Sequence, residues 1–331
     1  MTVRRIIAAL AASLLCILGL LSAPAQAVTQ PFPVKLHAVN KSGSEYACAQ
    51  GWGFFDGPTD AASITAMTGW KINTVRIPLN QDCWLSLHGV KAAYSGANYK
   101  AAIQGYVTRL HAQGLYVILD LHWSSHNGTL ALGQDLMADK TNSVAFWASV
   151  AAAYKADPKV AFDLFNEPHS ISWQVWKNGD AGVTYAGMNQ LIAAVRSTGA
   201  TNWVIASGLD WGNDLRSWLA YKPTDATGHL AAGAHIYNFN RCVTSTCWNT
   251  ELKPVLAAVP LFITELGEND CLSAFSTGLL NWGLGANVAG FSPWAWNASM
   301  SCTGGPSLIT SSTGTPTTYG AGVKTWYVAH P

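Results

Sequence analysis

Two glutamates close apolar runs of the chain, Glu167 in AFDLFNEP and Glu265 in PLFITELG. Taking a carboxylate out of water is costly unless the group is paired or used. The chain has only five glutamates: Glu45, Glu167, Glu251, Glu265 and Glu268. Glu251 falls on a helix-like segment and Glu45 in a loop. Pairing with a buried Arg76 would be a purely structural explanation for Glu167 and Glu265. The chemical explanation is a carboxyl pair which, held about 5–5.5 Å apart, suits cleavage of a glycosidic bond with retention. One member attacks as the anion, and the other gives a proton and later takes one back. Their surroundings must therefore push their pKa values apart. Arg76 would lower the attacking carboxyl, and the proton donor should be raised. Spacing alone leaves open which glutamate plays which part.

Rival chemistries have less support. His122 and His126 in HWSSH have a metal-like spacing, with His235 as a third ligand. That segment leaves a strand rather than riding a helix, and H-E-x-x-H is absent. No G-x-S-x-G elbow occurs either. The reading therefore calls for no metal and no other cofactor. Asn127-Gly128-Thr129 and Asn297-Ala298-Ser299 match the glycosylation sequon.

Such groups need a frame. Short apolar runs at 34–39, 73–78, 115–121, 160–165, 203–207, 230–235, 261–264 and 290–294 read as strands. Helix-like segments at 61–67, 99–113, 143–154, 185–197, 214–220, 248–257, 272–284 and 321–328 alternate with them. This alternation predicts an α/β fold, a single-domain (β/α)8 TIM barrel. An open doubly wound sheet is disfavoured, because no G-x-G-x-x-G follows the first strand. In a barrel the chemistry collects at the carboxyl ends of strands. Those ends carry Arg76 (second strand), His122 (third), Asn166 and Glu167 (fourth), His235 and Tyr237 (sixth), Glu265 (seventh), and Trp294 with Trp296 (eighth). Arg76 alone could be a surface cation, and His122 alone a core histidine. Strands four and seven face each other across a barrel mouth, which would bring the two glutamates together.

Composition narrows the setting. Of 331 residues, 49% are hydrophobic, and only 11% are charged, against about 25% in an average soluble domain. The 19 basic residues nearly balance the 18 acidic ones, so neither nucleic acid nor a membrane surface is an expected partner. Residues 1–27 read as a secretory signal: Arg4 and Arg5, an apolar run from Ile6 to Leu21, then Ala25-Gln26-Ala27. A membrane span would need about 20 apolar residues, and Pro24 interrupts the segment. The expected product is a secreted, extracellular monomer with one catalytic domain over 28–331. Six cysteines remain after the signal, an even set that suggests disulfides in an exported chain. Neighbouring strand-end loops would pair Cys48 with Cys83 and Cys271 with Cys302, while Cys242 and Cys247 share one loop. Among the 15 tryptophans, Trp123, Trp173, Trp176 and Trp211 fall in or near strand-end loops as candidate sugar platforms. Trp147 and Trp282 fall on helices as candidate core.

The motifs HAVNKSG, NTVRIPL, LDLHW, FNEP, HIY, ITELG and PWAWN follow one another along the chain. In that order they resemble glycoside hydrolase family 5, the cellulase-like family of retaining (β/α)8 enzymes, over nearly everything after residue 27. The resemblance implies Glu167 as acid/base and Glu265 as nucleophile. It also implies Arg76, His122, Asn166, His235 and Tyr237 as the supporting shell, with Trp294 stacking on a sugar beside the scissile bond. Asn166 would bond the sugar 2-hydroxyl, and Arg76 and Tyr237 would donate to Glu265. Leu266 and Ala38 depart from the family, which more often has an aromatic and a glycine there. The implied activity is an endo-β-1,4-glucanase acting on poly- or oligosaccharide. A β-mannanase or another β-glycosidase of the family is the nearest alternative. A non-catalytic carbohydrate-binding barrel is the alternative of another class, and keeping both glutamates argues against it.

Overall fold

The computed structural model describes residues 35–303 and 305–331. The proposed signal at 1–27 lies outside them. Eight strands, β1 (Leu36–Asn40), β2 (Thr74–Asn80), β3 (Tyr116–Trp123), β4 (Val160–Asp163), β5 (Val204–Ser207), β6 (Leu230–Tyr237), β7 (Leu261–Gly267) and β8 (Gly290–Pro293), close into a barrel in chain order. All neighbouring pairs, including β1 with β8, are parallel. Each strand coincides with an apolar run of the sequence. A parallel barrel covered by helices is buried on both faces, so its strands read as near-continuous hydrophobic segments.

Helices Ala61–Thr68, Ala97–Ala112, Asn142–Tyr154, Met188–Ser197, Ala274–Ala286 and Thr318–Ala329 stand at or near their expected places. The expected segment 248–257 begins as a π-helix, Trp248–Leu252, and continues as the α-helix Lys253–Leu256. The expected helix at 214–220 does not form, and turns connect β5 to β6. Asp214 is the cause. Its backbone bridges Leu209, and its carboxylate accepts from the Arg216 backbone N–H at 2.9 Å. A side chain that offers the backbone such a local partner competes with helix formation. Short helices at Ala47–Gln50, Gln81–Leu85 and Trp173–Asn178 went unread, because one or two turns carry no periodicity. No helix among the described residues is long and apolar enough to cross a membrane.

Side chains alternate inward and outward along a strand, and the inward rows change character along the barrel axis. Its floor is apolar: Leu36, Ala38, Ile118, Ala161, Ile205 and Phe262 form one cluster. One step further on, the same rows deliver Asn40, Asp120, Asp163 and Ser207, all fully buried. The outward rows pack on the helices and connecting turns: Trp147, on the helix Asn142–Tyr154, donates to the Leu164 carbonyl, and Trp218, in the turns between β5 and β6, to that of Ala206. Trp147 is core as expected, and Trp282 packs beside Trp248.

Cysteines pair as expected: Cys48–Cys83, Cys242–Cys247 and Cys271–Cys302. The first spans 35 residues and the second only 5. Loop-closure entropy predicts that removing the first bridge by a double Cys→Ser change costs about 4 kcal/mol, against about 2 kcal/mol for the second. Urea denaturation of the two variants should show that order.

Candidate active site

At the carboxyl end of the barrel the inward polar row meets solvent in a cleft of about 530 Å³. His122, Asn166, Glu167, Tyr237, Glu265 and Trp294, all expected from the sequence, lie along it. One irregularity in the sheet and one glycine beside it aim the key groups. Where β6 meets β7, Ala234 faces Ile263 but His235 faces Glu265, so β7 carries one extra residue there. A bulge of this kind re-aims side chains, and it sets Glu265 directly beside His235. Gly212 backs His235 from the other side. Its φ is +76°, and a Cβ there would lie 2.9 Å from the imidazole Cγ. Only glycine tolerates both the dihedral and the approach.

Arg76 is fully buried beneath the cleft. Its Nε donates to Asp163 at 2.9 Å, Nη1 to Asn40 and Glu265 at 2.8 Å each, and Nη2 to Asn166 at 2.8 Å. Nη2 also lies 3.0 Å from Asp120. Burial disfavours the guanidinium charge, but Asp120, Asp163 and Glu265 together raise its pKa above the ordinary value. Burial pushes Asp163 up to about 7, with Arg76 opposing. Glu265 is held from both sides: Arg76 meets Oε1, and the Tyr237 hydroxyl donates to Oε2 at 2.7 Å. His122 contacts Asp120 at 2.7 Å and stacks on Trp294, with ring centroids 5.4 Å apart. Burial works against its charge, but Asp120 raises its pKa on balance.

Glu167 has different company. Its Oε1 lies 2.8 Å from His235 Nδ1, and its Oε2 accepts from Gln134 Nε2 at 2.7 Å. A carboxylate oxygen of Glu167, one of Glu265 and a ring nitrogen of His235 all lie within 4.8 Å of one another. Burial would raise the Glu167 pKa, but the hydrogen bonds and charge of His235, with help from Gln134, bring it below the ordinary value. His235 moves the other way: burial lowers it, and Glu265 and Glu167 raise it further. The two groups thus shift in opposite directions, as the members of an ion pair do. This corrects the expectation of a raised Glu167, because its two donors outweigh its burial.

Residues 28–300 match the family described as Cellulase (glycosyl hydrolase family 5). The chain belongs to this family. It is 26% identical over 188 residues to the manganese-dependent endoglucanase Eg5A of Phanerodontia chrysosporium, covering 54% of this chain and 45% of that protein. With the endoglucanase CelA of Streptomyces lividans it shares 24% identity over 217 residues, 63% of this chain and 41% of that one. The chain thus spans less than half the length of these relatives. Among solved structures, XacCel5A in complex with cellopentaose has a TM-score of 0.69 at 20% identity, covering 88% of this chain and 99% of that one. The endo-beta-1,4-glucanase Xac0029 from Xanthomonas axonopodis pv. citri gives 0.68 at 23%, covering 89% and 98%. At such identity these two likenesses establish the (β/α)8 fold.

Within this family 5 barrel, other expectations are revised. Trp123 and Trp211 line the cleft, and Trp211 is 44% exposed. Trp173 and Trp176 do not: Trp176 is fully buried, donates to the Ser207 carbonyl and packs edge-on against Trp173. Both belong to the short helix Trp173–Asn178, whose apolar face turns to the core. Trp296 is also buried, edge-on against Trp70. His126 sits on the rim with Asp135 at 2.6 Å, away from His122 and His235. Of the two sequons, Asn127 is exposed, whereas Asn297 is buried and its amide donates to Ser42 and Tyr46. Asn40, Asp120, Asp163 and Gln134 escaped the sequence reading. Asp120 was findable, since in LDLHW it lies two residues before His122, on the same face of the strand. Gln134 lies in an irregular loop and gave no signal.

Arg76→Met would leave Asp120, Asp163 and Glu265 without their cation. Removing one partner of a buried ion pair costs about 3–5 kcal/mol, and urea denaturation near neutral pH should read a loss of that size. Arg76 opposes the upward push on Asp163, which titrates at about 7 with the guanidinium present; without it the carboxyl holds its proton to higher pH, so the deficit should deepen as the pH is raised above 7.

Proposed function

We propose that this family 5 member is a secreted, retaining endo-β-1,4-glucanase that cleaves cellulose-like chains by double displacement. Residues 1–27 would be its export signal and 28–331 its catalytic domain. The observation that carries the reading is the carboxyl pair: Glu167 and Glu265 oxygens within 4.8 Å of each other, in an open cleft flanked by tryptophans. A separation of this order leaves room for a sugar carbon between them but not for an additional water, which an inverting pair needs.

Glu265 suits the nucleophile. Both of its oxygens accept from groups that stay protonated, Arg76 and Tyr237, so both are held in a fixed direction. Burial and the Glu265 charge hold the Tyr237 hydroxyl well above its ordinary pKa, which makes it a permanent donor. Glu167 suits the acid/base. Its partner His235 exchanges protons, and its position on the cleft wall gives it access to a leaving oxygen. Asn166, oriented by Arg76, is placed for the sugar 2-hydroxyl, a contact that strengthens in the transition state. Trp294 offers a flat face to a pyranose on the nucleophile side. Trp211, whose backbone N–H donates to the Pro168 carbonyl and whose ring stacks on His169, offers another beside the acid. An endo mode of action is supported by this cleft, which is walled by aromatics on both sides of the carboxyl pair. Endoglucanase activity in the relatives favours β-1,4-glucan over mannan.

Proton NMR of the first product from a soluble cello-oligosaccharide should show the β-anomer; the α-anomer first would exclude double displacement. The two glutamates should also fail differently. Glu265→Ala should abolish turnover of every substrate, since no glycosyl-enzyme can form. Glu167→Ala should lose cello-oligosaccharide hydrolysis by the 10²–10⁴-fold typical of a lost general acid, roughly, yet still react with an aryl glycoside carrying an activated phenol. Azide should restore its turnover. Identical behaviour of the two variants toward leaving group and azide would reject the assignment.

A further inference from the structure

Gln134 touches both groups that the proposed reaction needs free. It lies in the loop between β3 and the helix Asn142–Tyr154, half-buried at the cleft wall. Its Nε2 donates to Glu167 Oε2, the oxygen that His235 leaves open. Its Oε1 accepts from Asn166 Nδ2. The direction of both bonds is fixed by chemistry. Arg76 can only donate, so the Asn166 atom facing it at 2.8 Å must be the carbonyl oxygen. The Asn166 amide nitrogen then points to Gln134, whose oxygen must receive it, and only the Gln134 nitrogen remains for the carboxylate.

The amide of Gln134 therefore stands where substrate atoms have to stand. A leaving oxygen must reach Glu167 Oε2, and a sugar 2-hydroxyl must reach the Asn166 amide. We propose that Gln134 is a substrate surrogate, a positioning residue that satisfies Glu167 and Asn166 in the free enzyme and swings away when a sugar takes its place. This inference rests on the acid/base reading of Glu167. The swing belongs to the side chain, because the backbone beside it is pinned: Asp135 Oδ2 accepts from the His126 N–H at 3.0 Å and contacts its ring at 2.6 Å. Gln134 lines the cleft of about 530 Å³, so its side chain has room to move.

Displacement also moves the proton. A donor on a carboxylate favours its charged form, so Gln134 helps to keep Glu167 ionised in the free site. When the amide leaves, Glu167 loses that donor just as a sugar excludes water from it, and both changes favour the protonated acid. The other groups facing the pair stay in place. His235 and Tyr237 come from β6, His122 from β3, Arg76 from β2 and Glu265 from β7.

The pH dependence of kcat/KM reports the free enzyme, and that of kcat reports the substrate complex. In Gln134→Ala the basic limb of kcat/KM on cellotetraose should move up, by at most about one pH unit, the full size of one lost charge-assisted hydrogen bond, since Glu167 and His235 titrate as a pair. The basic limb of kcat should stay at the wild-type position. Gln134→Glu replaces the donor by an oxygen of similar shape and should move the kcat/KM limb in the same direction. Urea midpoints for both variants should match wild type, because the side chain is at the surface of a pinned loop. If the two limbs shift together, Gln134 remains on Glu167 in the complex; if neither shifts, the contact does not operate in solution. Either result overturns the proposal. The azide and leaving-group comparison on Glu167→Ala decides the acid/base assignment independently, so failure of that reading is distinguishable from failure of this one.

Discussion

A guanidinium wholly removed from water is tolerable only if nearly every one of its donors finds an acceptor and its charge finds anions. Arg76 meets that condition at the top of the barrel interior, and most of the site is arranged by it. Asn40 and Asp163 receive two of its donors and anchor it to β1 and β4. Asn166 receives another, which orients its amide toward the cleft. Glu265 receives one on Oε1, so this carboxylate is fixed by the ion on which the barrel's own cohesion depends. Asp120 carries the influence further, through His122 to the face of Trp294. Three carboxylates around one cation would be an excess of negative charge. Burial corrects part of it by holding Asp163 near neutrality, with its pKa at about 7.

The two glutamates of the cleft differ less in position than in the kind of partner each has. Arg76 and Tyr237 do not give up their protons in the ordinary pH range, so their contacts with Glu265 are permanent. His235 can exchange a proton with Glu167, and Gln134 can withdraw. The same carboxyl group is thereby given a permanent setting on β7 and a changeable one after β4. Catalytic carboxyl pairs generally depend on such an asymmetry. Here it comes from the chemistry of neighbouring side chains more than from any difference in burial. The opposite shifts of Glu167 and His235 fit that division: an imidazole beside two carboxylates is favoured in its charged form.

Strand positions and strand order were legible from the sequence for a simple physical reason. A strand buried on both faces must be apolar along its length, and the charged residues that interrupt such runs stand out. Arg76, His122, Glu167, His235 and Glu265 were visible in that way, Arg76 within its run and the others at or near the ends of theirs. The expected helix at 214–220 failed because Asp214 spends its carboxylate on the local backbone, a competition that composition does not display. Trp173 and Trp176 looked like platforms because they lie in a strand-end loop, and only packing reveals that the short helix carrying them turns inward.

Residue type and order determined the fold, the end of the barrel where chemistry gathers, the two carboxyl groups and the pairing of the cysteines between adjacent loops. Those properties depend on apolar periodicity and on chain connectivity, which are written along one dimension. The tertiary structure decided the rest: the bulge that sets Glu265 beside His235, the acceptors around Arg76, the lowered pKa of Glu167 and the arrival of Gln134 between Glu167 and Asn166. These depend on distances between groups remote in the chain, and on which of two opposing effects, burial or hydrogen bonding, is larger at a single atom. No sequence pattern encodes that balance, because it exists only once the strands have closed.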